Sequence, residues 1–143
     1  MNKNEIENKI KRLLERPEIN FAYIFGSFNN SKKYNDIDIA VYLNPEFNYN
    51  DLNVYPFGYE SELLGKFCLA LKTNNIDLII LNKADLLISM RVYNTGKLLF
   101  ERNRLFRIKI ENSVRKEYID TEFYRKLKSY YLQKNFNVRY RSN

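Results

Sequence analysis

The chain contains no histidine, and that absence removes a large share of enzyme chemistry. Without imidazole there is no Ser/His/Asp triad, no Cys/His pair, no His-ligated zinc and no ribonuclease built on a histidine acid and base. A single cysteine, Cys68, excludes an internal disulfide and any multi-cysteine metal site. Its apolar setting in Phe67-Cys68-Leu69-Ala70-Leu71 predicts a buried thiol rather than a reactive one. No apolar run approaches the roughly 18 residues of a membrane span, and Met1-Asn2-Lys3-Asn4-Glu5-Ile6 is too charged for a signal peptide. A cytoplasmic protein with no membrane partner is therefore expected. There is no internal repeat, and 143 residues leave no room for a second substrate domain, so one domain over residues 1–143 is expected. Whatever chemistry occurs must run on carboxylates, hydroxyls, cations or a bound metal.

What is present is enough apolar surface for a core, 45% of residues, and an excess of 24 Lys and Arg over 17 Asp and Glu. The resulting charge of +7 points to an anionic partner: a nucleotide polyphosphate, a nucleic acid or an acidic protein. No recognition motif for nucleic acid accompanies the charge, so direct nucleic-acid binding is not expected.

Apolar periodicity supplies the elements. Ile6, Ile10, Leu13 and Leu14 make a helical stripe over residues 4–16 that Pro17 ends. Phe21 to Phe25 is aromatic and β-branched and reads as a buried strand before Gly26, and Ile37 to Leu43 reads as a second. Residues 44–59, rich in Asn, Tyr and Pro and without periodicity, form a loop long for a small domain, a candidate lid or docking surface. Ser61 can cap a helix to about Thr73 with Leu64, Phe67, Cys68 and Leu71 on one face. Ile76 to Leu81 is a third strand, residues 83–94 a helix with Gly96 at its C-terminal cap, and Lys97 to Phe100 a short fourth strand. From Arg104 to about Gln133 a long amphipathic helix or pair of helices follows, fraying beyond Asn135. The order predicts an α/β or α+β fold, a mixed sheet of about four strands with packed helices.

Chemistry concentrates where the first strand ends and the second begins. Phe25-Gly26-Ser27 closes one, and Asp36-Ile37-Asp38 opens the next after the eight residues Phe28 to Asn35. Strand alternation puts Asp36 and Asp38 on one face with Ile37 turned to the core. Two adjacent carboxylates repel each other unless a cation lies between them, and hard oxygen donors completed by substrate phosphates suit magnesium. Asp77 lies in the apolar run Ile76-Asp77-Leu78-Ile79-Ile80, where a buried unpaired carboxylate would be costly. If the third strand neighbours the second, Asp77 joins Asp36 and Asp38 around two magnesium ions about 4 Å apart. Gly26 then admits a polyphosphate close to the backbone, and Ser27 offers its hydroxyl and N–H to phosphate oxygens.

Gly-Ser, a spacer, Asp-x-Asp and a later strand Asp resemble the DNA polymerase β-type nucleotidyltransferase superfamily, and the length resembles its small MNT branch. The resemblance runs over most of the chain, since the Ile76-Asp77-Leu78 strand, the next helix and Gly96-Lys97-Leu98-Leu99-Phe100-Glu101 follow in the same order. The spacer is shorter than is usual there and lacks the small-residue and arginine pattern; its Ser31-Lys32-Lys33 could still reach phosphates but reads first as a solvated turn. The resemblance implies the nucleotidyltransferase fold with a long C-terminal helix. It also implies an antitoxin that neutralises a HEPN-domain ribonuclease toxin by transferring AMP from ATP to a toxin tyrosine. By position it implies that Gly26 and Ser27 hold the triphosphate and that Asp36 and Asp38 bind both metals. Asp77 would ligate one metal and help activate the attacking hydroxyl. Two other functions compete: neutralisation of the toxin by binding alone, and nucleotidyl transfer to a small hydroxylated molecule.

Overall fold

Asn2 opens the fold by accepting the Glu5 N–H at 2.9 Å while the Glu5 carboxylate reaches back to the Asn2 N–H, a capping box that starts α1 (Lys3–Leu14). The computed structural model describes residues 1–141. Helix α1 buries Ile6, Ile10 and Leu14, the stripe its sequence announces. After it come β1 (Ile19–Phe25), a single-turn α2 (Ser27–Asn30), β2 (Ile37–Leu43), α3 (Tyr59–Leu71), β3 (Ile76–Ile80), α4 (Leu86–Thr95), β4 (Lys97–Glu101) and α5 (Arg104–Arg141).

The four strands form one mixed sheet in the order β3-β2-β1-β4. Strand β1 runs antiparallel to both β2 and β4, while β2 and β3 are parallel, as their connection through α3 requires. Alternation divides the sheet into two cores. Ile37, Ile39, Val41 and Leu43 of β2 face one side, where α1 and α3 supply Ile10, Leu14, Leu63 and Phe67. Phe21, Tyr23 and Phe25 of β1 face the other, with Ala40 of β2 and Val92 and Tyr93 of α4, and Phe106, Ile110 and Val114 of α5 close against them.

Three expectations are corrected. Helix α3 begins two residues before Ser61, with Gly58 at φ 88° ahead of it, because Tyr59 is buried and donates its hydroxyl to Glu18 at 3.0 Å. Cys68 is half-buried rather than buried, since α3 turns Leu63, Phe67 and Leu71 fully inward instead. The C-terminal segment is one helix of 38 residues that continues past Asn135 to Arg141. Any fraying at residues 142 and 143 lies outside the described residues. The 44–58 segment is also more ordered than its lack of periodicity suggested. Side chains of Asn44, Asn48 and Asp51 accept the N–H two residues on, at 3.0 to 3.1 Å, in three successive Asx turns. Phe47 and Tyr55 pack edge-on against Tyr59.

At 1.5 Å per residue α5 is about 57 Å long, well beyond the sheet it packs on. Its first turns are anchored by Glu111, which is buried and accepts from Arg107 at 3.0 Å and from Arg115 at 3.4 Å. Further on, Ile119, Phe123 and Tyr130 are exposed. Among the described residues no helix is long and apolar enough to cross a membrane.

Candidate functional site

Register brings the predicted residues together. In β1 and β2, Phe25 pairs with Asp38, so the last residue of one strand faces the second carboxylate of the Asp-x-Asp pair. In β2 and β3, Asp38 pairs with Asp77 across a parallel ladder, which puts both side chains on the same face of the sheet. Ile37 and Ile39 point into the opposite core, so Asp38 shares its face with Ala40 and with the α4 side of the molecule.

Gly26 stands directly against this carboxylate. Its φ of 73° and ψ of −154° belong to glycine, and a Cβ built there would lie 2.0 Å from Oδ2 of Asp38. The missing side chain thus provides the room Asp38 occupies. Ser27 follows at the first position of α2, exposed, while Phe28 anchors that turn in the core. The spacer residues Ser31, Lys32 and Lys33 are exposed, as a solvated turn should be. Lys3 donates to the carbonyls of Phe28 and Ser31 and ties α1 to the spacer.

Electrostatically the site is short of positive charge. Partial burial of Asp38, then the carboxylates of Asp77 and Asp36, push its carboxyl above the usual range, and the Arg91 guanidinium pulls it back down. Asp77 is exposed, not buried as its apolar run suggested, because β3 is the edge strand and Asp77 points away from the α1–α3 core. Asp36 is exposed just ahead of β2.

The donor chemistry fits a hard divalent cation such as magnesium: anionic oxygens that repel one another, with backbone room at Gly26 beside them. The expected set of three ligands is only partly assembled. Among the described residues no group of three Asp, Glu, Cys or His side chains is placed to hold an ion unaided. Magnesium is commonly held by one or two carboxylates with waters and substrate phosphates completing the octahedron, and Asp38 and Asp77 in register are a pair of that kind.

Arg91 is the participant that the sequence pattern did not single out. It lies on α4 among residues read as a packing stripe, and only the fold of α4 over the sheet brings it near Asp38. A cavity of about 460 Å³ between the 44–58 segment and α3, lined by Tyr49, Phe57, Glu60 and Lys83, contains none of these residues and lies by the far end of β3.

The profile of the family described as Polymerase beta, Nucleotidyltransferase matches residues 8–105. No curated protein matches the chain by sequence. Among solved structures, a chain of tri-AMPylated Shewanella oneidensis HEPN toxin in complex with MNT antitoxin is similar at 25% identity and a TM-score of 0.71, over 92% of this chain and 99% of that one. A chain of a toxin-antitoxin with AMP-PNP is similar at 25% identity and a TM-score of 0.71, over 89% and 98%. A chain of the toxin-antitoxin MntA-HepT gives 25% identity and a TM-score of 0.68, over 91% and 98%.

Proposed function

Because the chain belongs to the polymerase β nucleotidyltransferase family, we propose that it moves AMP from ATP onto a tyrosine hydroxyl of a HEPN-domain toxin and is that toxin's antitoxin. The observation that carries this is the Asp38–Asp77 pair in register beside the Gly26 turn. Structural relatives found with a tri-AMPylated HEPN toxin and with AMP-PNP supply the acceptor and the nucleotide. A cytoplasmic setting, where ATP is at hand, goes with this reading.

In the transfer the tyrosine oxygen bonds to the α-phosphorus, the bond to the pyrophosphate oxygen breaks, and the phenolic proton leaves to a base. Gly26 admits the triphosphate to the backbone, and the exposed Ser27 offers it a hydroxyl and an N–H. Asp36 and Asp38 are the carboxylates that would hold two magnesium ions, with Asp77 a ligand of one. When bound, such ions neutralise phosphate charge and favour an ionised acceptor. Asp77, exposed on the same face, orients the acceptor hydroxyl and helps to activate it. Positioning and charge stabilisation account for most of the rate in such chemistry.

The test is incubation of labelled ATP and magnesium with the protein and its HEPN partner at concentrations where the two bind. Label is expected on the toxin. The Asp36→Asn, Asp38→Asn double variant should lower transfer more than about a hundredfold while its circular dichroism and melting curve stay those of a folded protein. Label on neither protein would remove the proposal. Neutralisation by contact alone draws on the exposed apolar residues Ile119, Phe123 and Tyr130 of α5, surface of the kind that protein partners cover. Full neutralisation by the double variant would favour it.

A further inference from the structure

Helix α4 ends beside the turn that carries Gly26 and Ser27. Asn29 of α2 donates its side-chain amide to the Thr95 carbonyl at 3.2 Å. Gly96 packs so closely on β1 that a Cβ there would meet the Tyr23 ring at 3.2 Å, and Lys97 then pairs with Ile24 as β4 begins. One turn back, the Arg91 carbonyl accepts from Thr95 Oγ1 at 2.6 Å, so Arg91 and Thr95 lie on the same face of α4. The end of the helix meets α2 through the Thr95 carbonyl, while Ser89, Val92 and Tyr93 take the buried side.

Arg91 is exposed and close enough to Asp38 for its charge to be felt there. Even so, among the described residues it belongs to none of the ion pairs. Lys32 and Lys33 of the spacer are exposed ammonium groups without the fork of a guanidinium, and two further cations are engaged. Lys3 is spent on the carbonyls of Phe28 and Ser31, and Lys97 pairs with Glu7 at 2.8 Å. The segment between Ser27 and Asp36 contains no arginine. A triphosphate entering at Gly26 meets three carboxylates and needs a cation on the protein side. A guanidinium that stops short of an ion pair keeps its hydrogen-bonding fork free for phosphate oxygens.

We propose that Arg91 grips the phosphates of the bound nucleotide beyond the one transferred, and so selects a triphosphate over a monophosphate. The inference rests on the nucleotidyltransferase reading above. It makes Arg91 a binding and specificity residue, placed by the α2–α4 contact rather than by the Gly-Ser or Asp-x-Asp segments.

Equilibrium binding of ATP and of AMP, each with magnesium, to the full chain and to its Arg91→Ala and Arg91→Lys variants tests it. Arg91→Ala should lose about ten- to a hundredfold in ATP affinity, with AMP affinity within about twofold of the parent. Arg91→Lys, which keeps the charge but not the fork, should fall between. An equal loss for ATP and AMP would mark a structural role and overturn the proposal, as would Arg91→Ala binding ATP like the parent. If the parent itself binds no ATP, the nucleotidyltransferase reading fails first and this one with it. A parent that binds beside an unaffected variant sinks Arg91 alone.

Discussion

Gly26 holds backbone space that L side chains rarely enter, and a Cβ there would collide with the Asp38 carboxylate at 2.0 Å. Gly26→Ala should therefore cost about 1–3 kcal/mol in chemical denaturation from backbone strain, and ATP binding should weaken as Asp38 is displaced. Glu18 makes a second residue-scale case. Burial alone would raise its carboxyl, but its own backbone N–H, Arg16 at 2.7 Å and the Tyr59 hydroxyl at 3.0 Å donate to it and hold it below its usual value of 4.5. A depressed folded pKa means stability that is present above that usual value and lost as pH falls through the folded one. Glu18→Gln should thus cost roughly 1–3 kcal/mol near pH 7, and the gap between variant and parent should narrow in melts taken at progressively lower pH. That Asp38 and Ile37 take opposite faces of β2 was readable from residue order, because alternation alone turns strand neighbours apart. The exposure of Asp77 was not, because an apolar run reads the same in an edge strand and in a central one.

Elements depend on how their ends are closed. Strand β2 reaches Leu43, where a side chain stands in for a further strand residue. Asn82 Oδ1 accepts the Leu43 N–H at 2.7 Å, and Asn82 Nδ2 donates to the Leu43 carbonyl at 2.9 Å. Asn82→Ala leaves both groups without that partner in a half-buried place and should destabilise the protein by about 1–3 kcal/mol, read as a lower denaturation midpoint with an unchanged slope. No periodicity signals this contact, since Leu43 and Asn82 meet only because β2 and β3 are parallel neighbours. Most strands and helices were readable, since burial on one face imposes the periods of 2.0 and 3.6. The start of α3 was not: Ser61 has the chemistry of a cap, but the burial of Tyr59 outweighs it. The capping box at Asn2 and Glu5 was present in the residues as Asn-x-x-Glu and marks the helix start more closely than the apolar stripe did.

On the scale of the molecule, charge is divided. Helix α5 holds 11 of the 24 Lys and Arg and 4 of the 17 Asp and Glu, so it accounts for the whole excess of +7 and the remainder of the chain is neutral in sum. A neutral body presenting carboxylates to a triphosphate depends the more on local cations. The basic surface lies instead along a helix that carries exposed Ile119, Phe123 and Tyr130 beyond its anchored first turns. Since Phe123 is exposed, Phe123→Ser should change stability by less than about 0.5 kcal/mol, despite removing an aromatic ring. A loss of several kcal/mol in denaturation would show that α5 folds back on the body in solution.

Composition and order were enough to exclude histidine chemistry, to single out carboxylates as candidate donors, and to place Gly26, Ser27, Asp36 and Asp38 in one stretch of chain. Those properties reside in residue types and in the alternation of a strand, which act over a few residues. Packing was needed to bring Asp77 alongside Asp38, to lay α4 over their face of the sheet, and to send α5 beyond it. Each depends on which strands become neighbours and which helix covers which face, and those choices are made by contacts between residues far apart in the chain.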